Sequence, residues 1–139
     1  QTVETLYEDL VFIQELKPQM VGIGPFIPQR DTPFGQMPAG TCDQTIRLLS
    51  IIRLLHPPVL LPATTALGTI HPEGRERGIL AGANVVMPNL SPQQVRGKYA
   101  LYDNKISTGE EAAEGLMRLK ERMEHIGYRI VTDRGDYAG

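Results

Sequence analysis

Residues 59–63 read Val-Leu-Leu-Pro-Ala, an apolar run with no polar interruption, set between two stretches of helical character. A strand with one wet face alternates apolar and polar residues. An unbroken run this short fits a strand covered on both faces, as in a parallel sheet flanked by helices. Two further runs share that character: Met20-Val21-Gly22-Ile23-Gly24, and Asn84-Val85-Val86-Met87-Pro88-Asn89 with its polar end. Leu6, Leu10, Ile13 and Leu16 recur at three- and four-residue spacing and predict a helix over Thr5 to Leu16, stopped by Pro18. Thr41 or Asp43 can cap a second helix, Gln44 to Leu55, whose apolar residues nearly encircle it. That helix is therefore expected to be heavily buried. Pro72 can take the first position of a third helix, led by Gly74-Arg75-Glu76 toward Leu80. Ser91 can cap a short helix start. Thr108 and Glu111 have capping-box spacing for a last helix, which runs to Ile126 and stops at Gly127. Tyr128 to Val131 is one more candidate strand. The connections are too long for hairpins, so the alternation predicts an α/β fold of parallel strands with crossover helices.

At 139 residues the chain is expected to form one domain, and a hydrophobic content of 41% is enough for a core. With 14 basic against 16 acidic residues, the net charge of −2 favours neither nucleic acid nor a membrane surface as partner. No apolar run approaches the roughly 20 residues of a membrane span. The polar start, Gln1-Thr2-Val3-Glu4, is unlike a signal peptide. Because helical pattern begins within a few residues of Gln1, that residue is read as a cut point rather than a natural start. A single cysteine, Cys42, excludes an internal disulfide framework and suits the reducing cytoplasm.

In parallel α/β proteins ligands sit at the carboxyl ends of the strands. The loops leaving those ends are Gly24–Cys42, Thr64–Ile70 and Pro88–Ser91, and neighbouring parallel strands would bring them to one rim. The first is long for a compact domain, stiffened by Pro25, Pro28 and Pro33, and polar only at Gln29, Arg30, Asp31 and Thr32, which marks it as functional. Gly22 and Gly24 suit close approach of a ligand or another backbone. Thr64, Thr65 and Thr69 offer hydroxyls for a carboxylate or other anion, although Thr65 or Thr69 can equally serve as a helix cap. Met87 can touch a bulky or sulfur-containing ligand or simply fill core, and Asn89 reads as a turn residue. Arg75 and Arg77 fall in a helix's first turn, where a cation is disfavoured. They can pair with an anion, but a solvated surface is the default. His56, His71 and His125 are scattered, and His56 reads as a surface histidine at a helix end. Cys42, at a helix N-terminus, is read as a packing residue over a reactive thiol. Gly22-x-Gly24 lacks the later glycine of a dinucleotide fingerprint, and no zinc, P-loop or nucleophile-elbow motif occurs. No catalytic residue and no metal ligand is assigned.

Met20 to Gly35 (M-V-G-I-G-P-F-I-P-Q-R-D-T-P-F-G), then P-A-T-T-A-L-G-T-I, G-R-E and G-A-N-V-V-M-P-N, together resemble the radical S-adenosylmethionine family close to biotin synthase. The resemblance runs in order from about Leu6 to Ser107. It implies a (β/α)8 barrel of the TIM type, a 4Fe-4S cluster held by a C-x-x-x-C-x-x-C loop, and reductive cleavage of S-adenosylmethionine to a 5′-deoxyadenosyl radical. That cysteine loop is absent from this chain, and Cys42 does not match it. A full barrel needs about 250 residues, so residues 1–139 resemble the C-terminal, substrate-side half, with about three of the strands and no complete active site. The resemblance further implies that Met20 to Gly24 line the S-adenosylmethionine side, with Gly22 and Ile23 near the adenosine. Thr64, Thr65 and Met87 would face a small-molecule substrate, and Tyr102 would close the cavity. Half a barrel leaves two sheet edges open, so self-association is expected. The alternative without the family is a free-standing α/β module for a small anionic metabolite, or a domain of purely structural role.

Overall fold

The computed structural model describes residues 1–89, 92, 94 and 112–137. Helix α1 spans Val3–Leu16, starting two residues before the apolar pattern because Thr2 and Thr5 cap each other's backbone N–H groups reciprocally. Lys17 ends it in the left-handed region at φ 49°, ahead of Pro18. Helix α2 spans Cys42–Leu55, and Thr41 is its cap: the Thr41 hydroxyl accepts from the Gln44 N–H at 3.2 Å. Strand β1 (Pro62–Ala63) leads into α3 (Thr65–Ile70) and α4 (Gly74–Leu80), followed by strand β2 (Val85–Val86) and helix α5 (Ala112–His125). Gly127, at φ 83°, is the expected stop after α5. The Thr108–Glu111 capping box and the Ser91 helix start lie outside the described residues.

The pairing is parallel throughout: Met20 bridges Leu60, Pro62 pairs with Val85, and Ala63 with Val86. Three ribbons thus lie side by side in chain order, with residues 59–63 central. Val59, Leu61 and Ala63, which share one face, are fully buried, whereas Leu60 on the other face is only half-buried, so the expected cover on both faces is incomplete. Regular ladder is shorter than the apolar runs. Pro62 brings no N–H, and the Leu61 N–H goes instead to the Asn84 side-chain oxygen at 2.8 Å. Residues 128–131 make no ladder, but Ile130 packs on the core and Tyr137 lies 6.2 Å from the His56 ring.

Three expectations need correction. Thr64–Ile70 is not a loop but mostly helix, because the Thr64 hydroxyl caps it and the Thr69 hydroxyl bonds back to the Thr65 carbonyl at 3.0 Å. Pro72 precedes α4 in a turn, leaving Gly74 as the first helical residue. Helix α2 is not buried all round: Leu49 and Ile52 face the core, whereas Leu54 is 81% exposed and Ile51 and Leu55 are also exposed. Its covered stripe is the one that meets α3 and α4.

Helices α3 and α4 pack with their backbones in close approach. A Cβ on Gly74 would fall 2.0 Å from the Leu67 carbonyl oxygen, and one on Gly78 would crowd Leu67 and Ala63. Only glycine at these positions lets α4 sit this close to α3 and β1. From the far side, Arg122 of α5 clamps the pair by bonding both carboxylate oxygens of Glu76 and the Pro72 carbonyl.

Candidate functional site

Parallel pairing keeps partner residues on the same face, and successive residues alternate between faces. Met20 lies beside Leu60, so continuing the register sets Gly22 beside Pro62 and Gly24 beside Thr64. The Pro62–Val85 pair likewise sets Thr64 beside Met87. A Cβ on Gly24 would be 2.9 Å from the Thr64 hydroxyl, which agrees with that register. One face therefore carries Met20, Gly22 and Gly24, then Leu60, Pro62 and Thr64, then Val85 and Met87. The other face carries Val21, Ile23, Val59, Leu61, Ala63 and Val86, all packed into the helical layer.

That division sorts the candidate residues. Met20, Gly22, Thr64 and Met87 share the face away from the helices, with Thr64 and Met87 at its carboxyl rim. Met87 is 45% exposed among the described residues. Among the described residues nothing stands within 4 Å of the place a Gly22 Cβ would occupy, so that position is open to a ligand on their side. The Ile23 side chain points the other way, against the core, and leaves only backbone for a ligand. Thr65 opens α3 immediately behind Thr64. Tyr102 and the chain from Leu90 to Ser91 lie outside the described residues.

The rim loop, residues 25–41, is closed at its neck by the Gly40 N–H donating to the Phe26 carbonyl at 2.8 Å. Within it, Gln29 organises the polar turn. Its carbonyl accepts from the Thr32 N–H and hydroxyl, and its side-chain oxygen accepts from the Asp31 N–H. Phe26, Phe34 and Met37 stay exposed and border a cavity of about 580 Å³ shared with Leu6, Thr45 and Leu48. This cavity lies toward α1 and α2, apart from the Thr64–Met87 row.

Three side chains, Arg75, Arg77 and His56, differ from their sequence reading. Arg75 is not solvated: it is 6% exposed, and its Nη2 donates to the Thr65 hydroxyl at 3.3 Å. Arg77 pairs with Asp43 at 2.5 Å and holds the Asp43 carboxyl below its ordinary range. His56 is buried, not superficial, and its Nε2 lies 3.1 Å from the Pro18 carbonyl. Glu76 is buried against Arg122. The signal for Arg75 was its place in a helix's first turn, a poor site for a cation unless something holds it there. Cys42 is buried, and burial pushes its thiol upward, in keeping with a packing role. Among the described residues no three His, Cys, Asp or Glu side chains gather to hold a metal ion. No described helix is long and apolar enough to cross a membrane.

No protein-family model matches the chain. Over 135 residues, 97% of its length, it is 41% identical to the [FeFe] hydrogenase maturase subunit HydE of Thermotoga maritima. The chain belongs to the HydE-like radical S-adenosylmethionine proteins. It is also 27% identical over 125 residues to the 3-methylornithine synthase of Methanosarcina acetivorans, and 30% identical over 112 residues to that of Methanosarcina barkeri. These alignments cover 39%, 34% and 31% of the respective relatives, so the chain spans about two fifths of HydE and a third of the synthases. The expected resemblance and the α/β class with parallel pairing thus both hold.

Proposed function

We propose that this HydE-like chain is the substrate-side, C-terminal half of a radical S-adenosylmethionine (β/α)8 barrel. In this reading it contributes the carboxyl-rim wall of a maturase cavity and has no activity by itself. The carrying observation is the register that sets Met20, Gly22, Thr64 and Met87 on one sheet face away from the helices. Among the described residues helices cover only the opposite face, as they do in a barrel wall.

A 4Fe-4S cluster does not fit the residues present. Cluster ligation takes several cysteine thiolates, and here the sole cysteine is buried with its thiol pushed upward. S-adenosylmethionine does fit. The space that the described residues leave open over Gly22 admits a flat group, and Met20 and the Ile23 backbone flank it. When bound in the whole enzyme, this cofactor would supply a carbon-centred radical. The chain's own residues would do the holding. Gly22 and Gly24 bring backbone close, Met87 gives a polarisable apolar contact, and the Thr64 and Thr65 hydroxyls offer hydrogen bonds to a small polar substrate.

Titration of isotopically labelled chain with S-adenosylhomocysteine, a stable analogue, tests this. Shifts confined to Met20, Gly22, Ile23, Gly24 and Leu60 are expected. Shifts confined to α1 and α2, or none, would overturn the cofactor assignment. Anaerobic iron–sulfide reconstitution should leave the chain without charge-transfer absorption.

A further inference from the structure

Arg75 is the one cation in the described core, and its position runs against two general preferences. A guanidinium is strongly hydrated and rarely buried unless partners hold it, and the first turn of a helix repels positive charge. Packing alone would be served by Leu or Met at the same place. The Gly74 contact fixes its backbone, because α4 begins pressed against the Leu67 carbonyl and cannot slide. From there the Arg75 Nη2 reaches back across the α3–α4 turn to the Thr65 oxygen at 3.3 Å.

The chemistry of that contact has a direction. A guanidinium only donates, so the Thr65 oxygen must accept, and its single hydroxyl proton is left to point elsewhere. The Thr65 backbone is held independently, since its carbonyl accepts from the Thr69 hydroxyl. Side-chain rotation about χ1 is thus the one freedom left to Thr65, and Arg75 selects among its rotamers. We infer that Arg75 is a positioning residue: it fixes the Thr65 rotamer with a lone pair engaged, so that the hydroxyl is presented as a donor. The inference rests on the reading of Thr65 as substrate-facing and extends it to the residue behind.

Three-bond couplings of the Thr65 methyl report its rotamer in the full chain without any ligand. The natural protein should show a single rotamer and a nuclear Overhauser contact between the Arg75 Nη protons and the Thr65 methyl. Arg75→Met should give rotamer averaging, and Arg75→Lys should restore part of the single-rotamer signature. With acetate as probe, read at the backbone amides of residues 64–66, Arg75→Met should weaken binding roughly fivefold and Thr65→Val should abolish it. An unchanged rotamer in Arg75→Met overturns the inference, whatever acetate does. If Arg75→Met does not fold, absence of the Arg75–Thr65 contact in the natural protein overturns it alone. Rotamer averaging in the variant, with acetate leaving natural Thr65 undisturbed, upholds the positioning role and removes the substrate-facing reading instead.

Discussion

The chain has two regions that differ sharply in how they are held. Around β1, the α3–α4 pair is locked by glycine contacts, by fully buried Leu49, Leu61 and Leu67, and by the Arg122 clamp from α5. Around the first ribbon, α1 has no buried residue, and Val3, Tyr7, Phe12 and Leu16 are all more than half exposed. The ribbon's one described bridge to residues 59–63 is Met20–Leu60, and of α1 only Leu10 and Ile13 pack against the described core. The first region holds the rim in place; the second carries apolar surface that the other described residues do not cover.

Substitutions should separate the regions. Gly74→Ala is expected to be the most damaging single change, about 3 kcal/mol or more in a urea titration, because the clash is with backbone and cannot be relieved by a rotamer. Leu67→Ala should cost about 2–5 kcal/mol, since Leu67 is fully buried between β1, α3 and α4. Arg122→Ala should cost about 1–2 kcal/mol, less than a fully buried pair, because Arg122 is 41% exposed while Glu76 is 12%. By contrast Phe12→Ala should change folding stability by no more than about 0.5 kcal/mol. The effect of Phe12→Ala should appear instead in light scattering: the natural chain is expected to self-associate through the exposed face of α1 and the first ribbon, and the variant to do so less. A natural chain that remains monomeric would break that side of the comparison.

The smallest effect concerns acid. Asp43 is held below its ordinary value of 3.8 by the Arg77 hydrogen bond and charge. A depressed carboxyl stabilises the fold above its unfolded pKa, and that contribution is lost as pH falls through the lower folded value. Asp43→Asn should therefore flatten the stability curve below pH 3.8, and little above it. The pair is exposed, so raised salt should shrink the difference.

Much of this was legible in the residues. The apolar run 59–63 marked a buried strand, although its expected cover on both faces is met by helices on one face only among the described residues, and parallel order followed from connection length. The strand alternation also carried the sorting of Met20, Gly22, Thr64 and Met87 onto one face, but only once the register was known, since a one-residue slip would reverse it. Ile23 shows the limit: its motif membership says nothing of which way its side chain turns. The helix at Thr65–Ile70 was missed because it is short and capped by a hydroxyl that also suits a ligand. Arg75 and His56 were misplaced on the surface because their burial depends on partners distant in the chain, the α3–α4 contact and Pro18 with Tyr137. No local pattern encodes those meetings.

The central claim is that the carboxyl ends of three parallel ribbons lie in one row. A nuclear Overhauser map of the labelled chain tests it directly. Contacts from the Gly24 α-protons to the Thr64 methyl, and from Thr64 to Met87, are expected together. Cross-strand contacts of the antiparallel kind, or Gly24 near the amino end of residues 59–63, would contradict it.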